Sequence, residues 1–156
     1  MNLGLNSYLS VFEWSPIKIK TVYDVGACNG WWYMGVRPSL PDANFFLFEA
    51  NPEYEETLKQ TGQTVFNKVL SNPGRGEVEF YNGTNTGDSY YKETTHHYDD
   101  AEHVNVNTKL LDDVVFAKFG EHKQFDYIKM DTQGSEIDII KGGKKTIDQA
   151  KYIQIE

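Results

Sequence analysis

Three short stretches hold the residue types of this chain that could do chemistry. The first is Asp24-Val25-Gly26-Ala27-Cys28-Asn29-Gly30. Its glycines permit a tight turn and a close approach of backbone to a ligand. With glycine only at 26 and 30, the run is not the Gly-x-Gly-x-x-Gly fingerprint of dinucleotide binding. A carboxylate at Asp24 opposes a pyrophosphate at the following helix N-terminus, where anions normally bind, and welcomes a cation instead. The second stretch, Glu49-Ala50-Asn51-Pro52, places an acid 19 residues beyond Gly30. An acid at about that distance ends the second strand of a nucleotide-binding unit and accepts both hydroxyls of a ribose. S-Adenosylmethionine, with a ribose, a sulfonium and an amino group, meets both conditions. A nicotinamide oxidoreductase is the competing reading, and the missing third glycine speaks against it. The third stretch is Asp126-Tyr127-Ile128-Lys129-Met130-Asp131-Thr132-Gln133-Gly134-Ser135-Glu136.

These stretches need a scaffold that brings them together, and the surrounding pattern supplies one. Ile19 to Val25 is β-branched and aromatic and stops at a glycine turn, which reads as a buried strand. A helix is expected from about Asn29 and must end by Pro38. Phe45-Phe46-Leu47-Phe48, within Asn44 to Glu49, is the continuous apolar run of a strand covered on both faces. Asn51 is a good N-cap, Pro52 suits the first helical position, and Gly62 can close the helix. Val65 to Leu70 reads as a third strand. Asn72 to Gly76 is a turn, and the alternation of Glu77 to Tyr81 predicts a small antiparallel excursion. Residues 83–103 are polar, without clean periodicity, and read as an irregular loop.

Leu110, Leu111, Val114, Val115 and Phe119 recur at helical spacing. Phe125 to Met130 reads as a strand, and Ser135 as the cap of a helix with Asp138 as its capping-box acid. Gly142-Gly143 interrupts or ends that helix, and Tyr152 to Glu156 begins another strand. The alternation predicts an α/β fold, a Rossmann-like, doubly wound and mostly parallel sheet. Ligands of such sheets sit at the carboxyl ends of the strands, where all three stretches fall.

Size and charge agree with this scaffold. The 156 residues are enough for one domain, and 39% hydrophobic with 24% charged residues is a globular composition. With 23 acidic against 15 basic side chains the net charge is −8, which disfavours nucleic acid as a partner. The single cysteine, Cys28, excludes an internal disulfide and suits a reducing compartment. No run of about 18 apolar residues is available to span a bilayer. No secretory signal is recognised at the N-terminus, so a cytoplasmic location is expected.

Five segments occur in the order of the FkbM family: Tyr23 to Ala27, Phe48 to Pro52, Leu70-Ser71, Leu111 to Val114, and Lys129 to Glu136. Ile137 to Gly143 and Ile153 to Glu156 extend the match, so residues 19–156 resemble that family. The resemblance implies S-adenosylmethionine-dependent methyl transfer, in many members to hydroxyl groups of sugars or natural products. It assigns the cofactor loop to Asp24, Gly26, Ala27, Asn29 and Gly30. It assigns the ribose to Glu49 with Asn51 beside it, and the adenine border to Leu70 and Ser71. Asp131 falls beside the reacting methyl group, with Gln133 and Glu136 nearby. The family's usual Glu-Pro pair is Glu49-Ala50 here, which keeps the carboxylate. Class I methyltransferase sheets have seven strands, so the resemblance also implies a domain lacking its C-terminal strands, with the edge at Tyr152 to Glu156 open to self-association.

A hydroxyl acceptor, small molecule or glycan, must lose its proton as it attacks, and Asp131 and Glu136 are the candidate catalytic bases. Glu136 equally suits a purely structural role in a first helical turn. His96, His97, Asp99, Asp100, Glu102 and His103 include metal-ligand types without a motif that fixes their geometry, so no metal is expected. Trp31, Trp32 and Tyr33 read as core packing rather than as a sulfonium cage. Tyr90 and Tyr91 are better placed to face a substrate, and Cys28 reads as a packing residue. The rival to an enzyme is a catalytically silent cofactor-binding remnant or interaction domain.

Overall fold

The computed structural model describes residue 12 and residues 17–82, 87–92, 102–120 and 125–156. Strand β1 (Thr21–Val25) leads to helix α1 (Trp31–Val36), a 3-10 turn (Arg37–Ser39) and β2 (Asn44–Glu49). A second 3-10 turn (Pro52–Tyr54) runs into α2 (Glu55–Lys59), followed by β3 (Thr64–Asn67). Then come β4 (Glu77–Asn82), β5 (Glu102–Asn107), α3 (Leu111–Phe119) and β6 (Tyr127–Met130). Helices α4 (Glu136–Gly142) and α5 (Lys144–Ile147) precede β7 (Tyr152–Ile155). Five strands form a parallel sheet in the order β3-β2-β1-β6-β7, and β4 and β5 make a separate antiparallel ribbon.

The apolar runs produce this sheet because both of its faces are covered. Every residue of β1 and β6 is buried, as are the last five of β2. Side chains alternate between faces. Tyr23, Val25, Phe46, Phe48, Ile128 and Met130 pack with Leu111 and Val115 of α3 and Ile139 of α4. Val22, Phe45, Leu47 and Tyr127 pack with Tyr33 and Val36 of α1 and Leu58 of α2. The result is the expected Rossmann-like, doubly wound α/β fold. The chain builds from β1 out to β3, then returns to add β6 and β7 on the other side. The switch point therefore lies between β1 and β6.

Several local expectations are revised. β3 ends at Asn67 rather than Leu70, because the Asn67 side chain turns onto the end of β2 and donates Nδ2 to the carbonyls of Glu49 and Ala50. Leu70 then pairs in parallel with Lys109. The antiparallel partner of β4 is β5, so Glu102 and His103 are strand residues rather than the end of the irregular stretch. Cross-strand pairing of Val78 with Val106 and of Phe80 with Val104 explains the ribbon. The capping box at Ser135 does not form. Ser135 Oγ donates to the Thr132 carbonyl, and Asp138 is engaged by other side chains.

Asp126 locks the entry of the sheet. Its Oδ2 accepts from the amides of Lys20 (2.7 Å) and Thr21 (3.1 Å), and its Oδ1 accepts from the Lys151 ammonium. Burial opposes its ionisation, but Lys151 and the two amides outweigh that and hold the carboxyl below its ordinary value. A depressed folded-state value adds stability above the unfolded value and loses it as pH falls through the folded one. Asp126→Asn is therefore expected to destabilise at neutral pH, with the deficit shrinking as pH drops below about 4. Urea unfolding across acidic and neutral pH reads this directly, and a pH-independent deficit would refute it.

Candidate functional site

At the switch point the carboxyl ends of β1, β2 and β6 open on a cleft. One wall is apolar, with Phe48, Val69, Leu70, Phe80 and Ile139; the other lining includes Glu49, Asp88, Asp131 and Gln133.

The turn after β1 is folded tightly onto its neighbours. The amides of Gly26 and Ala27 donate to the Phe48 carbonyl at 2.9 and 3.0 Å. Gly26 has φ +79, and a Cβ there would lie 1.9 Å from the Asp131 carbonyl oxygen. Only glycine permits this approach of the β1 and β6 ends. Beyond it, the Cys28 amide donates to Glu49 Oε2 at 2.6 Å, and the Asn51 amide to Oε1 at 2.7 Å. Each Glu49 oxygen is thereby fixed by one donor and keeps a lone pair for the cleft. Burial pushes the Glu49 carboxyl above its ordinary value, against the pull of the Asn51 and Cys28 amides. Asn51 itself does not line the cleft. Its Oδ1 caps the Pro52 turn through the Glu53 amide, and its Nδ2 holds Asp88 Oδ2 at 2.7 Å.

Asp24 is placed differently from the sequence-level expectation. Strand register makes it the direct neighbour of Lys129, on the face that packs against α1. The Lys129 ammonium lies 3.1 Å from Asp24 Oδ1 and donates to the Gly26 carbonyl at 2.9 Å. Asp24 is fully buried and Lys129 nearly so. Burial raises the Asp24 carboxyl while Lys129 lowers it. Asp24 does not line the cleft and its charge faces an internal cation, so it offers no free attraction to a cationic ligand.

The chain after β6 presents Asp131, whose side chain is 30% exposed; its Oδ1 accepts from Gln133 Nε2 at 2.7 Å. Glu136 is not in the lining. Its carboxylate accepts from the Thr132 amide (2.7 Å), the Thr132 hydroxyl (3.0 Å) and the Gly134 amide (3.1 Å), which fixes the loop beneath Asp131. Gly26, Glu49, Leu70 and Asp131 thus come together in one cleft. Ala27 is core, Asn29 accepts from the Trp31 amide, and Gly30 sits against Leu58. Ser71 lies behind the lining, its hydroxyl 3.1 Å from that of Tyr90.

Tyr90 lines the cleft, and burial raises its hydroxyl to about 12, so it acts as a donor. Tyr91 stands outside, donating to Asp138 at 2.7 Å while Arg75 lies 4.8 Å above its ring. Arg75 also reaches Asp138 at 3.2 Å, so this clasp ties the segment 87–92 to α4. The aromatic trio after the glycine loop divides: Tyr33 is core, Trp32 packs beside Tyr127, and Trp31 is 74% exposed.

Asp88, Cys28, Tyr54 and Lys68 line the cleft without having been singled out for it. Only Cys28 carried a sequence signal, its place inside the glycine turn. Among the described residues no group of three His, Cys, Asp or Glu could hold a metal. His96, His97, Asp99 and Asp100 lie outside the described residues, and His103 packs against Tyr81. Among the described residues no helix is long and apolar enough to cross a membrane.

A doubly wound sheet with a polar-rimmed cleft at its switch point defines a Rossmann-like ligand-binding domain. The sequence model of the methyltransferase FkbM domain matches residues 24–156, and the chain belongs to that family. It is 24% identical to the 2-O-methyltransferase NoeI of Sinorhizobium fredii (strain NBRC 101917 / NGR234), covering 86% of this chain and 62% of the relative. The chain therefore spans less than two-thirds of that curated relative's length. The crystal structure of methyltransferase FkbM from Methylobacillus flagellatus KT shares the fold, with a TM-score of 0.54 at 18% identity. That match covers 88% of this chain and 32% of the other.

Proposed function

We propose that the cleft binds S-adenosylmethionine and that the domain transfers its methyl group to a hydroxyl of a sugar or other small hydroxylated acceptor. The observation that carries this reading is Glu49, a buried carboxylate held by two amides and offered to a cleft with an apolar wall. That arrangement suits a ribose beside an adenine. The lining has three carboxylates, Glu49, Asp88 and Asp131, against one ammonium, Lys68, which fits a cationic ligand better than a pyrophosphate. The cofactor, when bound, supplies an electrophilic methyl on its sulfonium. The protein's main contribution is alignment of acceptor and donor. Asp131 accepts the hydroxyl proton as the oxygen–carbon bond forms and the carbon–sulfur bond breaks. Glu136 supports Asp131 through the loop rather than touching the reacting atoms.

The relative's name, a 2-O-methyltransferase, supports a hydroxyl acceptor. The acidic balance argues for a small molecule or glycan rather than nucleic acid. A cytoplasmic location belongs to the same proposal.

Calorimetric titration with S-adenosylhomocysteine tests the cofactor site. Micromolar binding corresponds to about −8 kcal/mol. Removing a charged acceptor by Glu49→Ala is expected to weaken it tenfold to a hundredfold, from a loss of about 1.5–3 kcal/mol. Binding that ignores Glu49→Ala, or no binding by the folded protein, overturns the reading. Binding without transfer of labelled methyl to any hydroxylated acceptor would instead favour a silent cofactor-binding domain.

A further inference from the structure

Among the described residues, two non-glycine residues have positive φ, Cys28 at +49 and Gln133 at +54. Both line the cleft. A left-handed backbone is unfavourable for a residue with a Cβ, and such strain is retained where the surrounding structure enforces it. At Gln133 the enforcing contacts are visible. Glu136 holds the amides on either side, those of Thr132 and Gly134, and Ser135 Oγ holds the Thr132 carbonyl. The Gln133 side chain lines the cleft, and one Nε2 hydrogen reaches Asp131 Oδ1.

This pairing leaves a particular set of groups. A carboxamide has two donors and one acceptor oxygen, and a carboxylate accepts only. With one donor used on Asp131, Gln133 still offers a second N–H and its carbonyl beside the carboxylate. A carboxylate next to an amide N–H and C=O matches two neighbouring hydroxyls. One donates to Asp131, and the oxygen of the other accepts from Gln133 Nε2 while its proton goes to Oε1. A lone hydroxyl would leave the amide half unused.

We infer that Gln133 is a positioning residue that selects acceptors carrying vicinal hydroxyls, by holding Asp131 and gripping the oxygen adjacent to the one methylated. This inference rests on the methyl-transfer reading above. It adds a stereochemical requirement, a 1,2-diol, and the residue that imposes it.

The test is nitrogen-15 NMR on the full chain with S-adenosylhomocysteine present. The Gln133 side-chain pair is identified by its disappearance in Gln133→Gly. The probes are cis- and trans-1,2-cyclohexanediol and cyclohexanol, each added to the same millimolar excess. A shift of the Gln133 amide pair with at least one diol, and none with cyclohexanol, is expected. Equal response to cyclohexanol, or silence with both diols, overturns the inference.

The backbone amides of Cys28 and Asn51 serve as the separate readout for the cofactor. If they do not move on adding S-adenosylhomocysteine, the methyl-transfer reading itself fails and the diol inference falls with it. If they move and Gln133 stays silent, only the diol inference falls. Gln133→Gly also separates positioning from structure. Relief of the left-handed strain should leave the melting temperature unchanged or higher, while Asp131 loses its diol-dependent backbone shift. A lower melting temperature, or an Asp131 shift that survives, overturns a positioning role.

Discussion

Alanine at Gly26 is expected to be the most damaging single methyl group that can be added at the cleft. Its left-handed φ alone costs an L-residue about 1–2 kcal/mol. The new Cβ would also fall 1.9 Å from the Asp131 carbonyl oxygen, a backbone atom with no rotamer in which to escape. Relief requires the ends of β1 and β6 to separate, which breaks the hydrogen bond from the Asp131 amide to the Val25 carbonyl. The total loss should reach about 4 kcal/mol or more. Gly62→Ala is the matched control, because Gly62 has φ +73 with nothing within 4 Å of its would-be Cβ. Chemical denaturation of the two variants separates backbone strain from collision. Equal losses would mean that the two strand ends are not in the close contact described.

Lys129→Met is expected to have the second large effect, through the partner it abandons. Asp24 is fully buried, and removing its cation leaves an uncompensated carboxylate, a loss of about 3–5 kcal/mol. Burial already raises this carboxyl, and without Lys129 it rises further. A raised folded-state value gives stability at low pH that is lost as pH climbs through it, so the variant should weaken from acid toward neutral pH. Combining Lys129→Met with Asp24→Asn removes the stranded charge and should recover much of the loss. Strictly additive losses in that double-mutant cycle would show that the two groups do not interact.

The legible parts of this protein were those in which one local pattern has one physical outcome. Phe45 to Phe48 can be buried on both faces only in a covered parallel strand, and that strand delivers Glu49 to the cleft at its carboxyl end. The Asp24–Lys129 pair was readable in principle. A lysine in the buried run Tyr127 to Met130 demands an anion at the same level of the neighbouring strand, and Asp24 occupies it. Reading Asp24 alone as an attractor for a cation missed that internal compensation.

Other features depend on contacts between distant segments. Asp138 has the spacing of a capping acid, but Tyr90, Tyr91 and Arg75 reach it from 47 to 63 residues earlier and engage its carboxylate instead. Val104 and Val106 alternate in β5, but their pairing with β4 depends on a long closure that no local pattern specifies. Asp88 had no signal at all, since its place in the cleft is set by the Asn51 side chain.

The ribbon has a consequence for how this domain can be altered. Its register sets Asn82 opposite Glu102, so the chain departs from and returns to one point, and the ribbon stands apart from the five-stranded sheet. The entropy of closing such an excursion grows by only about 0.6 kcal/mol for each doubling of its length. Beyond the segment 87–92, which the Asn51–Asp88 bond and the Tyr91–Asp138 bond tie to the cleft and to α4, sequence before Glu102 can therefore be lengthened, shortened or exchanged while the strand ends bearing Gly26, Glu49 and Asp131 keep their positions. Lys92 and Glu102 mark the natural seam for grafting one relative's insertion onto another's scaffold.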